Sequence, residues 1–194
     1  MLIAVLGMKG GSGKTSTAVH VAAALARNGA RVALLDGDAT RAATAWHARG
    51  DGALPFAVRP VEDGPGDAEH VIVDTAGGEA PADLLDLARS ADRVLMPTAP
   101  APLDLVALLD GLRLLDGLDP RVLLTRCPPW PQTDAADARE LLTSRGAHVL
   151  TVEVPARKLY QRAALEGATV RDVRDRDAER LWAAWPALLV EVMA

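Results

Sequence analysis

The stretch GMKGGSGKTST, residues 7–17, carries two lysines, closely spaced glycines and a run of hydroxyl side chains between an apolar segment and a helical pattern. Gly10, Gly11 and Gly13 let backbone N–H groups approach phosphate oxygens with no Cβ in the way. The N-terminus of the helix that follows adds a positive partial charge. In that setting Lys14 reaches β- and γ-phosphates and the Thr15 hydroxyl holds Mg²⁺, with Ser12 and Ser16 beside them. The common spelling of such a loop, G-x-x-x-x-G-K-[ST], demands glycine where this chain has Met8, and it asks for no Lys9. KGGSGKT instead satisfies the variant K-G-G-x-x-K-[ST] in full.

A Mg²⁺-nucleotide site needs carboxylates near the metal and a group that positions water. Asp36 and Asp38 stand at the end of LLDGDAT, and Asp74 follows three apolar residues in HVIVDTAGG. For Asp36 the competing expectation is a turn or cap residue. Carboxylates at strand ends of a parallel sheet point into the crevice where the phosphate loop also lies.

These residues must be positioned by regular elements, and the sequence supplies them. Strands are expected at 2–6, 31–36, 56–58, 71–74, 93–97, 121–125 and 148–152, with helices at 14–28, 39–49, 80–90, 103–116 and 133–145 between most of them. Two helical patterns follow, 157–166 and about 176–192. Runs apolar on both faces, alternating with helices, predict an α/β fold with a mainly parallel, twisted sheet of about seven strands and helices on both faces, and the phosphate loop between the first strand and helix makes the expectation a P-loop NTPase fold. With 194 residues and 49 % apolar side chains, one domain spanning 1–194 is expected.

The net charge of −5 excludes a chain that is basic throughout. A single cysteine, Cys127, excludes a disulfide within the chain, and with four scattered His it cannot build a zinc or iron–sulfur site. No leader pattern or bilayer-length apolar run is present, so a cytoplasmic protein without a membrane partner is expected. The final helical pattern has no Lys or Arg after Arg180, which favours packing on the sheet over a membrane role.

The set KGGSGKT, DGD and VIVD, followed by MPTAPAPLDLVALLDGL (96–112), resembles the deviant-Walker ATPases of the ParA/MinD type, closest to the small ParA, ParF-like partition ATPases. The resemblance implies ATP and Mg²⁺ as cofactors and a homodimer closed by ATP. In it Lys9 is the signature lysine, reaching the nucleotide of the other subunit as an arginine finger does. By the same match Asp38 orients the attacking water, Asp36 sits near the Mg²⁺ shell, Asp74 holds Mg²⁺, and DTAGG (74–78) is a switch. Arg126, with Thr125, falls where many relatives carry an asparagine that reads adenine, and Pro155 falls on a loop against the base. The family's D-x-D continues with Pro-Gln, whereas here Ala39-Thr40-Arg41 follows.

The stretch 156–180 has seven basic and five acidic residues, leaving the remainder at −7. Arg157, Lys158 and Arg162 are candidates there for a weak, sequence-independent DNA contact, against the alternative of a solvated helix face. The sequence thus favours a nucleoid-associated partition ATPase: an ATP dimer that binds DNA non-specifically, with hydrolysis that is slow until a small centromere-binding partner stimulates it. No DNA-reading domain is expected ahead of the phosphate loop. The alternative is a ParA-like positioning ATPase for a protein cargo such as a chemoreceptor array or microcompartment. A metabolic P-loop ligase ranks third, because the compact chain lacks room for a substrate pocket in inserted loops.

Overall fold

A computed structural model describes residues 1–194. Seven strands form one sheet: β1 (Leu2–Val5), β2 (Val32–Asp36), β3 (Ala57–Pro60), β4 (His70–Asp74), β5 (Arg93–Thr98), β6 (Arg121–Cys127) and β7 (His148–Pro155). Their order is β3-β2-β4-β1-β5-β6-β7 and every neighbouring pair is parallel. The helices are α1 (Lys14–Arg27), α2 (Ala42–Arg49), α3 (Pro81–Ser90), α4 (Pro102–Leu114), α5 (Asp134–Ser144), α6 (Lys158–Glu166), α7 (Ala178–Trp182) and α8 (Ala184–Met193).

Alternation along β1 assigns the two faces. Ile3 and Val5 join a core shared with α1, α2, α6, α7 and α8, while Ala4 and Leu6 join one shared with α3, α4 and α5. Ile3, Leu34, Ile72, Leu95 and Leu123, one from each inner strand, are buried beneath the first helix group. Each contributes about 2 kcal/mol on burial, against at most about 1 kcal/mol for an exposed ion pair. The strand ends that carry the chemistry are therefore fixed by the core rather than by surface charge.

The chain leaves β1 for β2 on one side of it, and later crosses from β4 to β5 on the other. The strand order so reverses around β1, and the loop after β1 opens at the carboxyl edge of the sheet, where such folds bind ligands.

Three local departures from expectation have clear causes. The helix expected over about 176–192 is two, α7 and α8, with Ala183 between them. Pro186 lacks the N–H that would bond back to Trp182, and its ring crowds that carbonyl. The helix expected from 39 begins at Ala42, because residues 38–41 form a turn in which the Arg41 amide bonds to the Asp38 carbonyl (2.8 Å) and Arg41 has φ 53°. Strands β6 and β7 run to Cys127 and Pro155, past the expected ends, with register shifts between them.

The C-terminal helix packs on the sheet, as its lack of basic residues predicts. Trp182 and Trp185 are buried, and the Glu191 carboxylate accepts from the Thr151 amide (2.6 Å), the Thr151 hydroxyl (2.6 Å) and the Val152 amide (3.1 Å). No helix is long and apolar enough to cross a membrane.

Candidate nucleotide site

The phosphate loop joins β1 to α1. Gly11 and Gly13 adopt φ 81° and 96°, the left-handed region open to glycine. Gly7 serves a different need: a Cβ there would lie 3.1 Å from both Lys14 Cδ and Ser12 Oγ, so the loop closes tightly on Lys14. Lys14 is buried, and its ammonium donates to the Lys9 carbonyl at 3.0 Å. Burial lowers its pKa, while Asp74, Asp38 and Glu79 favour the charged form.

Register brings the carboxylates to the same edge. Asp74 is the direct neighbour of Asp36 on β2 and of Val5 on β1. Both are fully buried, but they are used differently. Asp36 Oδ2 accepts from the Thr44 amide (2.8 Å) and hydroxyl (2.7 Å), and Oδ1 from the Asp38 amide (3.2 Å). It therefore ties the first turn of α2 to the strand end. Asp38 accepts from the Thr40 amide at 2.7 Å within the same turn. Asp74, by contrast, has neither oxygen hydrogen-bonded. Burial pushes its carboxyl up to about 7, opposed by the Thr15 hydroxyl and Lys14, while Asp36 and Asp38 push it further up. A buried, unpartnered carboxylate beside a threonine hydroxyl suits a divalent cation.

The loop after β4 rests on the phosphate loop. The Thr75 hydroxyl donates to the Val5 carbonyl at 2.9 Å, and the Ala76 amide donates to Glu79 at 3.0 Å. A Cβ on Gly77 would stand 2.5 Å from the Gly10 nitrogen, so the two loops touch backbone to backbone.

Lys9, 47 % exposed, reaches sideways to α4, where its ammonium donates to Asp104 Oδ1 at 3.1 Å. Met8 accounts for the other irregular position: it packs against Gly111 of α4 and Met96 of β5, leaving no room for a Cβ on Gly111. The two residues that break the common loop spelling are thus the two that dock the loop on α4. The partnership with Asp104 and Gly111 was not legible in the sequence, since it links positions about a hundred residues apart.

A cavity of about 550 Å³ adjoins the loop and gathers Gly13, Ser16, Arg126 and Pro155, four positions expected from the sequence at the nucleotide, together with Thr125. Thr125 donates to the Ser12 carbonyl at 2.8 Å, hanging β6 on the loop. Trp46, Tyr160 and Trp185 also line it, an aromatic wall that no sequence motif signalled. The three DNA candidates are divided: Arg157 and Lys158 line this cavity, whereas Arg162 pairs with Glu166 at 2.7 Å. A second cavity, at the opposite edge of the sheet, is lined by charges of both signs and no part of the phosphate loop.

Fold and site together define a phosphate-loop nucleotide-binding protein with a second, half-exposed lysine in the loop. Residues 3–170 match the family described as the CobQ/CobB/MinD/ParA nucleotide binding domain, and the chain belongs to that family. It is 39 % identical over 189 residues to the Maintenance of carboxysome distribution protein A of Gloeobacter kilaueensis, covering 91 % of this chain and 87 % of that one. The protein of the same name from Halothiobacillus neapolitanus is 28 % identical over 185 residues, covering 87 % and 85 %. Among solved structures, apo McdA of Cyanothece superposes with a TM-score of 0.77 at 15 % identity over 97 % of this chain and 98 % of that one.

Proposed function

We propose that this chain is an ATP-driven positioning protein for a protein cargo, of the kind that distributes microcompartments. The observation that carries this reading is the 39 % identity over 91 % of the chain to a protein named for maintaining carboxysome distribution. It moves the expectation from DNA partition with a centromere-binding partner to the cargo alternative.

The residues support a Mg²⁺-ATP switch. Gly10, Gly11, Ser12 and Gly13 cradle phosphates, Lys14 neutralises them, and Ser16 and Pro155 border the cavity for the nucleoside. Thr15 and Asp74 would hold Mg²⁺, with Asp36 holding the adjacent turn in place. A metal held there would supply positive charge against the phosphate oxygens of the nucleotide. Asp38 positions the attacking water, and Lys9 leaves Asp104 to reach the nucleotide of a second copy. The ATP dimer then binds DNA without sequence preference as its track, through basic residues that include Lys158, and a small partner protein on the cargo stimulates hydrolysis.

Deleting the gene in its host, with the cargo shell and a resident plasmid both followed by fluorescence, tests the reading. Clustered shells with a normally inherited plasmid are expected. Lost plasmids with evenly spaced shells would return the reading to DNA partition. In vitro, ATP but not ADP should retain the protein on DNA, less at higher salt, and Lys9→Ala should abolish ATP-dependent dimerisation while keeping ATP binding.

A further inference from the structure

Arg126, with Thr125, falls where many relatives carry an asparagine that reads adenine, yet its geometry directs it elsewhere. Its backbone is left-handed, φ 52°, a conformation costly to any side chain but glycine. That turn lays the guanidinium over the phosphate loop: Nη1 and Nη2 both lie 3.9 Å from where a Cβ on Gly11 would stand. Thr125 fixes the approach, donating to the Ser12 carbonyl at 2.8 Å and packing 3.4 Å from the Cβ position of Gly13. Arg126 is exposed and unpaired, whereas Arg139 nearby is held by Glu153 and the Leu150 carbonyl. The cavity it lines carries two further cations, Arg157 and Lys158, and no carboxylate, in a chain whose net charge is −5.

The chemistry agrees with the placement. Asparagine offers a donor and an acceptor, which matches the N6 amine and ring nitrogen of adenine. A guanidinium has donors only, so it cannot accept from N6, but it matches two phosphate oxygens at once. We propose that Arg126 is a phosphate-binding residue acting within its own subunit, gripping the phosphate chain of the bound nucleotide rather than its base. This rests on the nucleotide-switch reading above and adds a second cation in cis to Lys14, distinct from Lys9 delivered in trans.

Calorimetric affinities for ADP, GDP and adenosine, measured on wild type, Arg126→Ala and Arg126→Gly, test it. Loss of a charge-assisted pair predicts that Arg126→Ala weakens ADP and GDP by one common factor, about 10- to 100-fold, with adenosine unchanged. Arg126→Gly should lose the same affinity while melting at or above the wild-type temperature, since glycine accepts the left-handed backbone, which separates the effect from misfolding. If adenosine weakens as much as ADP, or the ADP-to-GDP ratio shifts while ADP affinity is kept, Arg126 serves the base and the proposal is wrong. Unaltered ADP affinity in both variants also overturns it while leaving the switch reading intact. A wild-type protein that binds neither ADP nor ATP overturns both.

Discussion

Lys9 is the residue on which the proposed switch would turn. Its ammonium is bonded to Asp104 on its own α4, so reaching a second copy requires that pair to break. The lysine is 47 % exposed, and an ion pair of that kind contributes about 0.2–1 kcal/mol. The restraint is therefore weak enough for nucleotide binding to overcome. Asp104→Ala should release Lys9 and lower the ATP concentration for half-maximal dimerisation by about 1.5- to 5-fold. Analytical ultracentrifugation across an ATP titration measures this, and a midpoint that rises or stays fixed would mean Asp104 does not restrain the lysine. The sequence announced Lys9 through the variant motif, but nothing in it announced Asp104 as its partner. Asp36 shows the converse: it stands in the right motif, and only the hydrogen bonds to Thr44 reveal that it holds a helix end.

At the level of elements, the site is a set of loops pressed on one another at the carboxyl edge of the sheet. The loop after β4 meets the phosphate loop at Gly77, where a Cβ would fall 2.5 Å from the Gly10 nitrogen. Backbone cannot yield as a flexible side chain can. Gly77→Ala should therefore push the two loops apart and weaken nucleotide affinity at least tenfold, because Gly10 belongs to the proposed phosphate cradle. Its effect on the melting temperature should be small, since Gly77 is exposed and outside both cores. Fluorescent-nucleotide binding beside a thermal melt checks both halves, and unchanged affinity would show that the loops separate freely. Helix α4 is coupled to the same loop from the other side, through Met8 in the space left by Gly111. The apolar runs and glycine-rich turns made strands, helices and their order readable. The loop-to-loop contacts were not, because they depend on the crossings that bring β1, β4 and β5 together.

Across the whole molecule, His20 ties the nucleotide helix to the C-terminal layer. It is fully buried; its Nδ1 donates to the Ser16 carbonyl (2.7 Å) and its Nε2 accepts from the Val170 amide (3.1 Å). The ring stacks on Trp185 at 4.7 Å and meets Trp46 and Tyr160 edge-on, joining α1, α2, α6 and α8. Burial lowers its pKa to about 4, opposed by the bond to Ser16 and the charge of Asp172. A depressed folded pKa means the neutral ring stabilises the fold above about pH 6.5 and that this contribution, about 3 kcal/mol, is lost as pH falls towards 4. Asp74, raised to about 7, acts with the opposite sign over much of the same window. The difference between wild type and His20→Gln isolates the histidine: the variant should be less stable at pH 7.5 in urea titrations, with the gap narrowing by pH 4.5. A gap independent of pH would show that the histidine carries no such linkage.

The sequence by itself determined the phosphate loop, the parallel sheet and the ends of most elements. Those depend on short-range spacing: glycines that free N–H groups, apolar periods that assign faces, a lysine and a threonine one after the other. Only the tertiary structure decided which partners the charged groups take. Asp104 on Lys9, Thr44 on Asp36 and the bare oxygens of Asp74 follow from crossings that bring distant segments to one sheet edge. Arg126 marks the boundary: its place in the chain suggested the base, and the left-handed turn at the end of β6 lays its guanidinium over the phosphate loop.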